Sequence, residues 1–467
     1  MKHHILHPFI PLLVAAAAAG CVDSTPIMQP SLGVAREAGG VPHRAAAAAR
    51  DAVLGGNTQM VLAGPTLPPP GAPLTPFVEA RLYAIASIAM HDALNSIVPR
   101  FDRYADQGPL NGDANANAAV LTAAHDAIAG GAPGAQAAVD AWYAAAMAAI
   151  AGDPGVGDGI SIGHRAAAAI LARRANDGTA FGALGPYVPG AGAGDYQFTF
   201  PFTLPDFNIF GTGGFADATI WGTTVTPFVV SSGAQFRAPP PYGAPSNAAA
   251  VLTTEYTSDF NEVKALGCET CTARTDEQTE IARFWAENSP TGWNRIARIV
   301  ADQRNMDAWD AARLLAIMAM GEFDAYVTSL ESKYHYNFWR PVTAVALAGN
   351  DGNSQTAPEV GWQVLVFPTP PVPDYPSAHS TAGGAGAAII EALVPGRGQP
   401  ISTTSASAPN VTRTFESVAS AASENALSRI YIGYHFRHAT AVGLRQGRAV
   451  GAYVAGHALA ARSGRGQ

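Results

Sequence analysis

The sequence predicts an all-α protein with long irregular connecting segments, and three observations carry that reading. Apolar residues recur at helical spacing from Pro76 to Val98, at Val78, Leu82, Ile85, Ile88, Ala89 and Leu94. Two Ala-rich stretches follow, at about 117–151 and 160–176, interrupted by a Gly/Pro break at Gly131–Gly134. Alanine has the highest helix propensity, so these are helices although they carry few large side chains. Helical patterns then resume at Asp276–Ala301 and Met306–Ser329, and again at about 377–394, 411–428 and 438–461. No repeat of solenoid length is visible, and no apolar run in the body of the chain reaches membrane-spanning length.

The elements follow in order. Residues 1–21 read as a secretory signal, with a basic start, an apolar stretch from Phe9 to Ala19 and small residues before Cys21. Ala18-Ala19-Gly20-Cys21 has the form of a lipoprotein cleavage box, so Cys21 is a lipidation candidate, with ordinary cleavage nearby as the alternative. The expected location is therefore outside the cytosol: periplasmic or outer-membrane lipoprotein, or secreted. Residues 22–60 show no sustained periodicity and read as a flexible tether, closed by Leu67-Pro68-Pro69-Pro70-Gly71. An N-terminal helical half spans 61–250 and a C-terminal half spans 251–467. Within the first, residues 178–247 are rich in Pro, Gly and aromatics, which predicts an ordered wrapping segment without helices. Cys268 and Cys271 stand in Cys-Glu-Thr-Cys; in an exported chain this predicts a local disulfide, since the βαβ pattern of a dithiol redox site is missing.

Composition narrows the function. The formal net charge is −8, 48% of residues are hydrophobic and 14% are charged, which argues against both disorder and a nucleic-acid partner. Lysine occurs only at Lys2, Lys264 and Lys333.

Three clusters carry chemistry. In Lys333-Tyr334-His335-Tyr336-Asn337-Phe338-Trp339-Arg340-Pro341 the two cations are seven residues apart, two helical turns, and so can share one helix face until Pro341 ends the segment. The surrounding aromatics predict partial burial, where unpaired cations require an anion. Pro376-Ser377-Ala378-His379-Ser380 begins a helix whose first turn offers free N–H groups and a positive dipole end to an oxyanion. Ser377 adds a hydroxyl donor and His379 a proton carrier. In Ser428-Arg429-Ile430-Tyr431-Ile432-Gly433-Tyr434-His435, Arg429 is a further bidentate oxyanion donor and His435 a nucleophile or metal ligand. His438 suggests a zinc pair with His435, although no third ligand is in view.

Taken in order, Lys-x6-Arg-Pro, Pro-Ser-x-His and Ser-Arg-x5-His resemble the superfamily joining vanadium-dependent haloperoxidases and type 2 phosphatidic acid phosphatases. Lys-Tyr-His-Tyr-Asn-Phe-Trp-Arg-Pro and Tyr-Pro-Ser-Ala-His-Ser look closer to its soluble haloperoxidase branch. So do Ala89-Met90-His91-Asp92-Ala93, Trp221-Gly222, Phe260-Asn261-Glu262-Val263-Lys264 and Phe284-Trp285-Ala286. The resemblance implies the helical-bundle architecture of the haloperoxidases. It also implies an oxyanion, vanadate or phosphate, held by Lys333, Arg340, Arg429, the Ser377 hydroxyl and the N–H of Ala378, where Gly is common. His435 would coordinate vanadium or attack phosphorus, and His379 would serve as general acid or base.

The implied activity is oxidation of a halide by hydrogen peroxide at a His-bound vanadate, passing the oxidised halogen to a small organic acceptor. The alternatives are a soluble acid phosphatase acting on a phosphate ester through a phosphohistidine, and a non-catalytic oxyanion-binding envelope protein. The phosphatase pattern places Asp four residues after the second His. Here that residue is Ala439, so which carboxylate orients His435, Glu287 or another acid, stays open.

Overall fold

A computed structural model of the chain describes residues 41–67, 75–179, 188–203, 219–394, 396 and 400–462. The expected signal, with Cys21, lies outside the described residues, as does the tether over 22–40. From Val41 the tether expectation is corrected. The chain is helical as α1 (Val41–Ala63), and Ala49, Val53 and Met60 are buried. Small residues hide this face from a periodicity reading, since Ala49 and Ala52 carry too little side chain to stand out.

The first half continues with α2 (Thr75–Asn95), α3 (Ala116–Gly131), α4 (Gln136–Ala148) and α5 (Val156–Arg174), close to the predicted spans. Two short helices follow, α6 (Thr219–Thr223) and α7 (Asn247–Ala250). The second half holds α8 (Thr254–Leu266), α9 (Asp276–Phe284), α10 (Ser289–Gln303), α11 (Ala308–Tyr336), α12 (Pro341–Leu347) and α13 (Ala378–Leu393). It closes with a hairpin, β1 (Ile401–Ser405) and β2 (Ala408–Phe415), and with α14 (Val418–Tyr431) and α15 (Arg437–His457).

Two helices read as continuous are interrupted. The stretch 276–301 breaks after Phe284, and Ser289-Pro290 restarts it; proline belongs in a first turn, where its missing N–H costs nothing. The stretch 411–428 begins as a strand, because Val411, Thr412, Thr414 and Phe415 fit a pleated surface better than a helix. The helix starts only at the Ser417–Ser420 capping box. The two strands pair antiparallel with Ile401 opposite Phe415.

At the centre lies α11, buried almost throughout from Ala308 to Tyr334. Asp307 caps its start by accepting from the N–H groups of Trp309 and Asp310, at 3.0 and 3.1 Å. A helix apolar on all sides needs neighbours on all sides. α1, α2, α10, α13 and α15 supply them. α13 and α15 approach at backbone distance: a Cβ on Gly447 would stand 1.9 Å from the carbonyl oxygen of Thr381.

The described parts of the predicted wrapping segment, 188–203 and 219–247, hold only short helical pieces. They are fastened by polar groups rather than by helix packing. Asp324 on α11 accepts from the N–H groups of Phe228, Val229 and Val230 at 2.7–2.9 Å. Burial pushes its carboxyl up to about 6 against those three bonds. Nearer the C-terminal end of α11, the Tyr196 N–H donates to the carbonyl of Asn337 and that of Trp339 to Gly194. Upstream, Asp92 holds the chain at Tyr104, Ala105 and Asp106 through their N–H groups, so the His91-Asp92 pair is an anchor of α2.

A second polar layer joins α2 to α10. Glu79 accepts from Asn288 at 3.1 and 3.0 Å, and burial pushes its carboxyl from 4.5 up to about 8. A raised acid contributes stability that is complete below pH 4.5 and is lost as pH climbs through about 8. Urea melts of Glu79→Gln against wild type should therefore diverge between pH 6 and pH 9. The variant gains relative stability at the higher pH, by up to ~1.4 kcal/mol per pH unit crossed. Parallel pH dependences would contradict a protonated Glu79.

Candidate active site

Lys333 occupies the last turn of α11, which ends at Asn337 in the left-handed conformation (φ 52°). Arg340 is not on that helix. It is the N-cap residue of α12, with Pro341 in the first turn, so the shared helix face expected of the two cations is replaced by a turn between two helices. Both side chains are nonetheless fully buried on the same loop. The Lys333 ammonium donates to the carbonyls of Pro373 and Asp374, at 2.6 and 2.9 Å. The Arg340 guanidinium donates to the carbonyls of Val372 and Tyr434, at 2.7 and 2.9 Å, and reaches His435 Nε2 at 2.9 Å.

Arg429 comes from the last turn of α14. It donates to the Trp285 carbonyl at 2.9 Å, lies over the Tyr434 ring at 4.9 Å, and leaves its buried Nε without a protein partner. Ser377 caps α13 by accepting from the Ser380 N–H, and Ala378 is the first helical residue, whose N–H has no intrahelical partner. Ala378 is not among the residues with positive φ, so alanine sits at this position without strain.

The two histidines differ in their support. His435 Nδ1 meets Asp374 Oδ1 at 2.8 Å, and both residues are buried. With Asp374 ionised, the proton lies on Nδ1 and the Nε2 lone pair faces Arg340. Burial pushes the Asp374 carboxyl up to about 7, against the lowering pull of Arg340 and Lys333. Burial, followed by Arg340, Lys333, Arg429 and His379, holds His435 well below the ordinary imidazole value. His379 is partly buried, with Nδ1 2.8 Å from Ser289 Oγ and an enclosed Nε2 that has no protein partner. Burial and Arg429 keep it neutral as well.

The balance of charge is uneven. Lys333 and Arg340 are gathered around Asp374 as their nearby carboxylate, and Arg429 stands near Arg340 and the two histidines. Burial holds the Lys333 ammonium well below its usual value, with Arg340 adding to the effect. Buried cations in excess are costly unless an anion joins them. Three fixed cations, a hydroxyl and a helix N-terminus match the oxygens of a tetrahedral oxyanion.

Comparison with known proteins finds likenesses in sequence and in fold. Residues 313–464 match the family model described as the VCPO second helical-bundle domain. That match takes in about a third of the chain. The chain is 28% identical over 281 residues to the vanadium chloroperoxidase of Curvularia inaequalis, a match covering 47% of this chain and 45% of that protein, so it spans less than half the length of that curated relative. Among solved structures, the first bacterial vanadium-dependent iodoperoxidase superposes with a TM-score of 0.70 at 21% identity, covering 92% of this chain and all of that one. The holo form of a bacterial vanadium-dependent chloroperoxidase gives 0.66 at 16% identity, covering 82% and 92%. At these identities the structural likeness speaks for the haloperoxidase fold.

Two residues of this cluster could not be read from the sequence. Asp374 answers the open question of which carboxylate meets His435. It had a signal, being the only Asp, Glu, Lys or Arg between Glu359 and Glu391. Glu287 is not that acid, since both its oxygens accept from Arg295. Ser289 had no signal beyond a Ser-Pro helix start. The zinc pair suggested for His435 and His438 does not form. His438 stacks on Tyr242 at 4.3 Å, bonds Glu255 at 2.8 Å and accepts from the Tyr242 N–H. Among the described residues no group of three or more His, Cys, Asp or Glu is placed to hold a metal ion. Cys268 and Cys271 are joined as a disulfide, in a loop that pairs with Val364.

Proposed function

We propose that this chain is a vanadium-dependent haloperoxidase that oxidises a halide with hydrogen peroxide, and that vanadate is its cofactor. The observation that carries the reading is the convergence of Lys333, Arg340 and Arg429 on the His435–Asp374 pair, beside the first turn of α13. The donor set fits vanadate: three cations and the Ser377 hydroxyl and Ala378 N–H for its oxygens, and His435 Nε2 as the nitrogen ligand. The buried Nε of Arg429 and Nε2 of His379, neither with a protein partner, are two further polar atoms such an anion would satisfy. When bound, vanadate supplies a Lewis-acidic centre for activating hydrogen peroxide toward halide attack.

The protein's part is the rest. Asp374 keeps the Nδ1 proton of His435 in place and so directs Nε2 toward the ligand. The three cations hold the oxyanion and stabilise charge on it in a site from which water is largely excluded. His379 can take or return a proton at Nε2. Export is part of this proposal, supported by the N-terminal pattern and by the disulfide, which suits an oxidising compartment. Among the described residues no helix is long and apolar enough to cross a membrane.

One observation favours a second reading. The His435–Asp374 pair is the carboxylate-oriented histidine that phosphohistidine chemistry also requires, so the absence of an acid at Ala439 does not count against a phosphatase.

A paired assay separates the readings. Protein reconstituted with orthovanadate is given peroxide and bromide with an organic acceptor, and the vanadate-free protein is given a chromogenic phosphate ester. Vanadate-dependent bromination is the expected result. Phosphatase activity without bromination would replace the proposal with the second reading, and silence in both assays would leave a binding protein.

A further inference from the structure

Behind His379 lies a group of buried hydroxyls that the oxyanion donors do not use. Ser289, the first residue of α10, is 2% exposed and sets its Oγ 2.8 Å from His379 Nδ1. The Tyr326 phenol on α11 stands close enough to the same serine to feel its hydroxyl. The start of α10 cannot easily drift away, because Asn288 donates to Glu79 and Thr291 Oγ1 lies 3.3 Å from the Tyr83 hydroxyl, both on α2. The Trp285 carbonyl also lies close enough to the His379 ring to favour its charged form, while accepting from Arg429.

An imidazole that exchanges a proton at Nε2 has to keep Nδ1 satisfied in both charge states. With the neutral ring protonated on Nε2, Nδ1 needs a donor; the imidazolium needs an acceptor there. A carbonyl meets only the second need. A serine hydroxyl meets both by rotating, provided that its own oxygen and proton have another partner. Tyr326 stands beside it, and a phenol also donates and accepts. Burial, with Glu322 one turn away, keeps that phenol protonated well past its ordinary range.

We propose that Ser289, backed by Tyr326, is the positioning residue for His379. It donates to Nδ1 of the neutral ring, so that Nε2–H is presented toward the oxyanion donors, and it turns to accept from Nδ1 when the ring becomes charged. This rests on the haloperoxidase reading for the purpose of His379, whereas the hydrogen-bond pattern belongs to the vanadate-free protein and can be tested without any activity.

The test uses the full chain labelled with ¹⁵N-histidine, without vanadate. Long-range ¹H–¹⁵N correlation spectra report the tautomer of His379, assigned by loss of its signals in His379→Gln. Wild type should show the Nε2–H form. Ser289→Ala should shift the ring away from that form toward a mixture of the two tautomers, and Ser289→Thr, which keeps a hydroxyl, should restore the wild-type pattern. In the reconstituted enzyme Ser289→Ala should lower kcat about tenfold. Vanadate affinity should fall by less than kcat does, since Ser289 reaches the anion site only through His379. A wild-type tautomer in Ser289→Ala would overturn the proposal, as would a threonine variant no better than alanine. If no protein brominates, wild type included, the haloperoxidase reading fails while the spectra still decide the role of Ser289.

Discussion

Replacing His435 by alanine should abolish vanadate-dependent bromination, a loss of at least ~10³-fold in kcat. No other residue of the cluster can stand in for it. Lys333, Arg340, Arg429, Ser377 and Ala378 offer only N–H and O–H donors, which suit oxygens, and His379 is tied through Nδ1 to Ser289 on the far side. The substitution also leaves Asp374 buried without the imidazole it accepts from, though Arg340 and Lys333 remain beside it to offset its charge. Thermal melting should therefore show a folded protein. The measurement is bromination against added orthovanadate, with binding followed separately by calorimetry. A variant that still brominates at a tenth of the wild-type rate would remove His435 from the role of ligand.

Asp374→Ala should weaken vanadate binding by about 10- to 100-fold, the usual cost of losing the partner that orients a histidine ligand. The mechanism is specific to Nδ1. Without the carboxylate, the proton of neutral His435 is no longer held on Nδ1 and distributes between the two nitrogens, and Nε2 loses its lone pair for part of the time. The ring is also left with a buried donor lacking an acceptor, which should cost about 1–3 kcal/mol of stability. Asp374→Asn keeps an acceptor oxygen and loses only the charge, so its affinity should fall between alanine and wild type. Titration of vanadate into each variant reads the effect directly. Equal affinities in all three proteins would show that Asp374 has no part in presenting His435.

Much of this protein could be read from the chain alone. Helix-forming composition and 3.6-residue spacing predicted α2 to α5, most of α11, and α13, because those signals are local and short-ranged. The residues proposed to hold the oxyanion were legible for a related reason. Lys333, Arg340, Ser377, Arg429 and the two histidines are ordered within short motifs, and the structure brings all of them to one place. The failures have physical causes as particular. α1 was missed because alanine buries a helix face without marking it, and β2 because a β-branched run next to a helix start mimics a longer helix.

What the chain could not tell was how distant segments meet. Nothing near His435 in sequence supplies a carboxylate; Asp374 does so from 61 positions away, carried there because the loop over 372–374 is pinned by Lys333 and Arg340 through its carbonyls. Ser289 reaches His379 across 90 positions, since two side-chain bonds fix the start of α10 to α2. Motifs thus determined which chemical groups the site contains. The protonation pattern of the two histidines was decided only by tertiary structure, because a hydrogen bond depends on distance in space and leaves no period in the sequence.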